Sequence, residues 1–146
     1  MAPHNSAGPT AQPDAATSSI TDSTSAVVSL LQATKSLVTS LTLAGSNFDL
    51  TCDDVLVLDA LARQGSASMA ELSPRTATSG ATLTRSVDRL VSHALVYREV
   101  SAEDRRRVKV HLSARGAAIH QELTPQLADL NSEASRILGR PRLETN

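Results

Sequence analysis

Large aliphatic residues recur at every third or fourth position between residues 25 and 46, which is the spacing that places them on one face of a helix. Three further segments with this spacing each follow a residue that can cap a helix by accepting a hydrogen bond from a free amide. These capping residues are Thr51, Ser68 and Ser79. Asp54 and Glu71 stand three residues after the first two caps, as in a capping box. The pattern therefore predicts one long helix followed by three short ones.

After the fourth helix the apolar spacing falls to two residues. LVYREV (95–100) and RVKVHL (107–112) alternate apolar and polar positions, which predicts two antiparallel strands joined by the loop SAEDRR. Ser113 is then placed to cap a final helix. Pro125 is predicted to break or restart that helix, because proline removes a backbone donor.

These elements predict a mainly α fold with a small β-hairpin. Three short helices followed by a two-stranded ribbon outline a winged helix-turn-helix domain. The chain accordingly divides into a flexible tail rich in Pro, Ser and Thr, an N-terminal helix, the winged domain, a C-terminal helical segment and a second tail. Their predicted bounds are 1–24, 25–46, 47–116, 117–140 and 141–146.

Composition narrows the class of protein. Only 1% of the 146 residues are aromatic, namely Phe48 and Tyr97, so the core must be built from Leu, Val and Ala, and oligomerisation would help to stabilise it. The single cysteine rules out an internal disulfide framework and suits a reducing cytoplasm. No stretch approaches the roughly 18 apolar residues that a membrane span requires, and the N-terminus lacks the pattern of a signal peptide, so we expect no membrane partner and a cytoplasmic location.

Charge is concentrated in the middle of the chain. The whole sequence has a formal net charge of -1, but residues 73–116 hold nine basic and four acidic residues, a net charge of +5. Residues 1–72 carry a net charge of -5. A basic module inside an otherwise acidic chain favours a surface that binds a polyanion such as double-stranded DNA. A helix would enter the major groove, and the hairpin tip would reach an adjacent minor groove.

Four motifs in order resemble the MarR family of bacterial transcription regulators. They are LTCDDVLVLDALARQG, MAEL, ATLTRSVDRLVSHALVYR and DRRRVKVHLSARG, between Leu50 and Gly116. The resemblance implies a homodimer held by the N- and C-terminal helices. Such a dimer would act as a transcription regulator, and as a repressor in our interpretation, on a pseudo-palindromic operator. A small-molecule effector, which the sequence does not identify, would release the DNA.

The resemblance also assigns roles to the hairpin loop, or wing. Arg106 is expected to enter the minor groove, and Asp104 to orient it, because a carboxylate two residues away can fix a long flexible side chain. Arg105 and Arg107 are expected to contact phosphates.

In the recognition helix, the expected DNA contacts lie on the side that we predict to be solvent-exposed. They are Ser79, Thr82, Arg85, Ser86 and Arg89. The alternative for all of these residues is a solvated basic helix face and loop.

The sequence departs from the family pattern at two turns. The family usually has glycine where Ala94 stands; if that position requires a positive φ, alanine carries a conformational cost of about 1 kcal/mol. Thr76 and Ala77 replace an apolar residue and a glycine before the recognition helix. These changes motivate an alternative function, a winged-helix module for protein interaction without sequence-specific DNA binding.

The remaining chemistry is sparse. Cys52 is a candidate thiol sensor because a helix N-terminus lowers a thiol pKa, although two aspartates follow it and oppose the thiolate; a passive small residue is the alternative. The four histidines are not spaced as metal ligands, and no phosphate-binding glycine loop or hydrolase motif is present. We therefore predict no enzyme activity, no metal and no cofactor.

Overall fold

A computed structural model of the chain describes residues 3–4, 8–10 and 15–139, with the backbone alone for 15–24. It divides into two compact units, residues 1–34 and 35–146. The described elements are five helices and three strands. Their bounds are α1 Ala15–Ser46, α2 Cys52–Gln64, β1 Ser66–Ser68, α3 Met69–Thr76, α4 Gly80–Ser92, β2 Val96–Val100, β3 Val108–Leu112 and α5 Ala114–Ile137.

The mainly α fold with a small wing is confirmed. The hairpin strands β2 and β3 pair antiparallel, with Val96 opposite Leu112 and Val100 opposite Val108. The short strand β1 pairs with the other side of β3, which gives a three-stranded sheet in the order β1-β3-β2. The buried apolar side chains of α2, α3, α4, the sheet and α5 form a single core against the inner face of this sheet.

One predicted bound and one predicted helix break are wrong. The helix α1 begins at Ala15, so residues 15–24 are helical rather than part of a tail. Neither Gly nor Pro occurs between Pro13 and Gly45, and extending a formed helix costs far less than starting one. Most of the remaining predicted tail, and the segment 141–146, lie outside the described residues.

The helix α5 also runs through Pro125, where a break or restart was predicted. Pro125 is exposed, while Leu123 is fully buried and Leu127 packs on the core. Tertiary packing on both sides of the proline therefore outweighs the loss of one backbone hydrogen bond.

The predicted capping boxes are confirmed. The Thr51 hydroxyl accepts a hydrogen bond from the Asp54 amide, and the Asp54 carboxylate accepts one from the Thr51 amide. Ser68 and Glu71 form the same reciprocal pair at the start of α3. Hydrogen bonds donated by Ser68 lower the pKa of the Glu71 carboxyl. Each box fixes the starting residue of its helix.

The turn at the end of α4 contains Ala94, the position at which glycine is expected. The Ala94 amide donates to the Val91 carbonyl at 3.0 Å, and the Leu95 amide donates to the Leu90 carbonyl at 2.9 Å, which is the Schellman pattern. This turn places Ala94 at φ 58°, and Ala77 before α4 stands at φ 50°. Both turns are therefore formed with alanine in the left-handed region.

Gly116 allows α5 to approach the turn that follows α4. A Cβ at this position would lie 2.0 Å from the Leu95 carbonyl oxygen, far inside contact distance. The Ser113 hydroxyl, which caps α5, also donates to the carbonyl oxygens of Ala94 and Leu95 at 2.8 and 2.9 Å. The turn after α4 and the start of α5 are thus joined at one point.

The helix α1 presents a large apolar surface. Its segment Ser25–Ser46 is long and apolar enough to cross a membrane by length and mean hydropathy (1.3), although no continuous apolar run of that length exists. The expectation that no segment reaches this level was therefore wrong by this measure. Interspersed Ser and Thr hydroxyls are accommodated because they donate back to the helix, as Thr39 does to the Lys35 carbonyl.

We predict that Ala94→Gly raises the free energy of unfolding by about 1 kcal/mol, because glycine adopts positive φ without the Cβ strain of alanine. Urea unfolding followed by circular dichroism would measure it. Ala118→Gly, at an exposed position inside α5, should instead lower the value by about 1 kcal/mol. An Ala94→Gly protein that unfolds at lower urea than the parent would contradict the strained-turn interpretation.

We predict that Gly116→Ala lowers the free energy of unfolding by about 3 kcal/mol or more, because the added methyl cannot fit against the Leu95 carbonyl. Gly80→Ala is the matched control, since a Cβ there meets nothing within 4 Å. Thermal unfolding of both variants would separate a steric effect from a general effect of replacing glycine. Equal stability of the two variants would contradict the close approach.

Candidate nucleic-acid interface

The helix α4 has one buried and one exposed face. Leu83, Val87 and Leu90 enter the core, whereas Ala81, Thr84, Arg85, Asp88 and Ser92 are exposed. The exposed set follows the spacing i, i+3, i+4, i+7 and i+11, so it forms one continuous stripe along the helix. This stripe is the part of α4 that a DNA groove could reach.

Three of the predicted recognition-helix residues are accessible at this surface. Arg85 and Ser79 are exposed, and Thr82 is half-buried. Ser79 is the N-cap residue, but its hydroxyl donates to the Thr82 hydroxyl at 3.3 Å instead of bonding a helix amide. Arg85 has no ion pair among the described residues, so its guanidinium is available to an external acceptor.

Ser86 was predicted on the exposed side, and this is wrong. It is fully buried, and its hydroxyl donates to the Asp54 carboxylate of α2. Its spacing explains the burial, because Ser86 follows Leu83 by three residues and precedes Leu90 by four and so shares their face. A polar side chain on the apolar face required a partner that the local sequence does not reveal.

Arg89 is only partly available for DNA. Its Nε lies 3.0 Å from Asp54 Oδ2, an ion-pair distance, although the N–H does not point along a hydrogen bond. The Arg89 side chain is 41% exposed, whereas that of Asp54 is 0% exposed. The guanidinium therefore spans from a buried carboxylate to the surface.

Asp88 and Thr84 are surface residues that the prediction missed, although the stripe spacing would have found them. Thr84 is exposed, and its hydroxyl donates to the Gly80 carbonyl at 2.9 Å. Asp88 pairs with Arg98 of β2 through a 2.6 Å contact. This ion pair joins the wing to the exposed face of α4 and neutralises the acidic group on that face.

At the wing tip, Asp104 fixes the backbone. Its Oδ1 accepts a hydrogen bond from the Arg106 amide at 3.0 Å, and its carbonyl accepts one from the Arg107 amide at 2.9 Å. Its Oδ2 lies 3.5 Å from Arg107 Nε. The predicted pairing of Asp104 with the Arg106 side chain is therefore replaced by a contact with the Arg106 amide, and the paired side chain is that of Arg107.

Arg105 and Arg106 are exposed and have no ion pair among the described residues. Arg106 and Arg107 line a cleft of about 660 Å³ together with Lys109 and the first residues of α3. The only carboxylate lining this cleft is that of Glu71, which is engaged in capping α3. The cleft is therefore cationic, and Lys109 is a contact candidate that the prediction did not include.

The predicted thiol sensor receives no support from its surroundings. Cys52 is half-buried. Burial, followed by the charge of Asp53, raises the pKa of the Cys52 thiol. The thiol form is therefore favoured at neutral pH, which opposes the reactivity of the group.

A second cavity lies between α2 and α5. It has a volume of about 340 Å³ and is lined by polar and apolar side chains, among them Asp59, Arg63 and His120. Asp59 bridges the other two, with 2.8 Å to Arg63 Nε and 3.0 Å to His120 Nε2. No group of three or more His, Cys, Asp or Glu side chains that could hold a metal ion occurs in the part of the chain described.

Known proteins share this fold. A sequence-family model described as the MarR family matches residues 48–107. The reduced form of MarR from E. coli is 29% identical over 73% of this chain and 79% of its own, with a TM-score of 0.64. No curated protein matches the sequence significantly.

Two further solved structures concern DNA binding. A cysteine-to-serine mutant of E. coli MarR, complexed with operator DNA, is 26% identical over 77% of this chain and 80% of its own, with a TM-score of 0.64. BpsR from Bordetella bronchiseptica, whose DNA binding is regulated by 6-hydroxynicotinic acid, is 27% identical over 73% and 80%, with a TM-score of 0.64. The matched segment contains α4 and the arginine-rich wing tip. Over this segment the chain is therefore similar to the MarR family of winged helix-turn-helix transcription regulators, whose solved structures include one in complex with operator DNA.

Proposed function

We propose that the protein is a cytoplasmic homodimeric repressor that binds a pseudo-palindromic operator and releases it when a small-molecule effector binds. Two observations carry DNA recognition: the wing arginines Arg105 and Arg106 have no ion pair among the described residues, and α4 has an exposed stripe that carries Arg85. Asp104 holds the wing turn through backbone hydrogen bonds, so the arginines project from an ordered tip. Ordering the tip before binding lowers the entropy cost of placing Arg106 in a minor groove.

The dimer is supported by the surface of α1. Within the first unit, Val27, Leu30 and Leu31 are each at least half exposed, and within the second unit Val38 and Leu43 are exposed. Lys35 is the only charged residue from Ser25 to Ser46. Exposed apolar side chains in each unit, with one charged residue in the whole segment, favour burial against a second copy, since a self-complementary patch is what a two-fold dimer requires.

The cavity between α2 and α5 is our candidate for the effector site. It places Arg63, His120 and Asp59 at the junction between the DNA-binding domain and the C-terminal helix. Several directional hydrogen-bonding groups beside apolar side chains are typical of small-molecule sites. A molecule that competes for the Asp59 contacts would alter how α5 packs on α2. We propose no catalytic role for these residues.

Selection of duplexes from a random-sequence library with the purified protein tests the proposal. We expect a pseudo-palindrome whose half-site centres are about 10 base pairs apart. Failure to enrich any duplex would contradict DNA recognition and would favour the alternative function, a protein-interaction module.

We predict that Arg106→Ala weakens binding to the selected duplex by about 1–3 kcal/mol, because it removes the minor-groove contact. Fluorescence anisotropy at fixed salt would measure it. Arg115→Ala is the matched control: it removes the same charge from the exposed first turn of α5, outside the wing and α4, and should have little effect. Equal losses for the two variants would mean that only net charge matters.

The candidate effector site also predicts an acid response. Burial alone would raise the pKa of Asp59, but hydrogen bonds and charges from Arg63 and His120 outweigh it and lower that pKa below 3.8. A carboxyl with a depressed folded-state pKa contributes stability above its unfolded-state pKa and loses it as the pH falls through the folded value. Asp59→Asn should therefore lose less stability than the parent between about pH 5 and about pH 3. The free energy of unfolding of both proteins would be measured across this pH range. An equal decrease in the two proteins would contradict the pairing of Asp59 with Arg63 and His120.

A further inference from the structure

The carboxylate of Asp54 is fully buried and has three partners. Its Oδ2 accepts the Thr51 amide at 2.9 Å, which is the capping contact. Its Oδ1 accepts the Ser86 hydroxyl, and its Oδ2 lies 3.0 Å from Arg89 Nε. Capping of α2 therefore accounts for one partner, and the other two both belong to α4.

This arrangement restrains α4 more tightly than apolar packing would. A buried charge costs several kcal/mol unless hydrogen bonds and an opposite charge compensate it. Two of the compensating groups of Asp54, Ser86 and Arg89, keep their positions only while α4 keeps its present placement. Sliding or rolling α4 would leave the carboxylate with the Thr51 amide alone. Apolar contacts tolerate small shifts, whereas the hydrogen bond from the Ser86 hydroxyl is directional and does not.

The neighbouring residue holds the turn that leads into α4. The Thr78 hydroxyl, which is nearly buried, lies 3.3 Å from Asp53 Oδ1 and also reaches the Thr76 carbonyl at 3.0 Å. Two adjacent aspartates at the start of α2 thus contact the turn and the helix that follows it. Neither contact is required for capping.

The restraint acts on the direction of the exposed stripe. Ser86 and Arg89 are three residues apart and face α2, while Arg85 and Asp88 each precede one of them by one position and face solvent. Successive residues of a helix are rotated by about 100°. Fixing the roll of α4 at Ser86 and Arg89 therefore fixes the direction in which Arg85 points.

We infer that Asp54, assisted by Asp53, is the positioning residue of DNA reading: its buried carboxylate sets the roll and depth of α4 through Ser86 and Arg89. The inference rests on the proposed function, because it concerns the same DNA-reading surface. It separates two effects. Wing and phosphate contacts supply affinity for any duplex, whereas the Asp54 contacts supply discrimination between duplexes.

The test compares the parent, Asp54→Asn, Arg89→Gln and the double variant on two probes, the duplex enriched from a random library and a scrambled duplex of the same composition. Asparagine keeps the size and an acceptor oxygen but removes the charge. We expect Asp54→Asn to lower the ratio of the two affinities about tenfold, with scrambled-duplex affinity unchanged or slightly stronger. In the double variant the affinity ratio should fall by a smaller factor than the product of the factors for the two single variants, because no buried charge is left uncompensated. Glu122→Gln, an exposed acid of α5, is the control and should leave the ratio unchanged.

A second readout needs no DNA. Hydrogen exchange of the α4 amides should be faster in Asp54→Asn than in the parent, relative to the amides of α5 in the same sample. If Asp54→Asn folds poorly, Arg89→Gln provides the same comparison. If the parent binds the enriched and the scrambled duplex equally well, the proposed function fails. The hydrogen exchange of the α4 amides then decides by itself whether Asp54 positions α4. An unchanged affinity ratio together with unchanged α4 exchange in folded variants would overturn the inference.

Discussion

The proposed DNA-reading surface depends on a single buried carboxylate at the start of α2. Asp54 is removed from water and is stabilised by Thr51 of its own helix cap and by Ser86 and Arg89 of α4. A buried carboxylate is tolerated only with such partners. The start of α2 and the placement of α4 therefore depend on the same group. The exposed stripe of α4 and its unpaired Arg85 point outward as a consequence.

A second junction joins the remaining functional parts. The turn at Ala94 and Leu95 ends α4 and starts β2, and it receives the Ser113 hydroxyl and the close approach of Gly116 from α5. The Arg98–Asp88 ion pair then links the wing to α4. The recognition helix, the wing and α5 therefore meet at a few contacts. A change in how α5 packs, such as an effector between α2 and α5 would cause, has a short physical route to the DNA-reading elements.

The local sequence was sufficient to predict the elements that form through contacts between nearby residues. Thr51, Ser68 and the alternation of the hairpin strands identified helix starts and the wing because caps and period-two patterns act over a few residues. It was insufficient where partners are distant. The spacing of Ser86 places it on the buried face of α4, but its acceptor, Asp54, lies 32 positions away, so the local sequence shows no partner for a hydroxyl there. The continuation of α5 through Pro125 likewise depends on packing by Leu123 that no local propensity reports.

Chemical footprinting with dimethyl sulfate on the selected duplex tests the central claim most directly, because the reagent methylates guanine N7 in the major groove and adenine N3 in the minor groove. If α4 reads the major groove, guanines should be protected at two half-sites about one helical turn apart. If the wing lies in the minor groove, protected adenines should flank these guanines. Arg106→Ala should remove the adenine protection and leave the guanine protection. Protection confined to one groove, or uniform methylation of the duplex in the presence of saturating protein, would contradict the account.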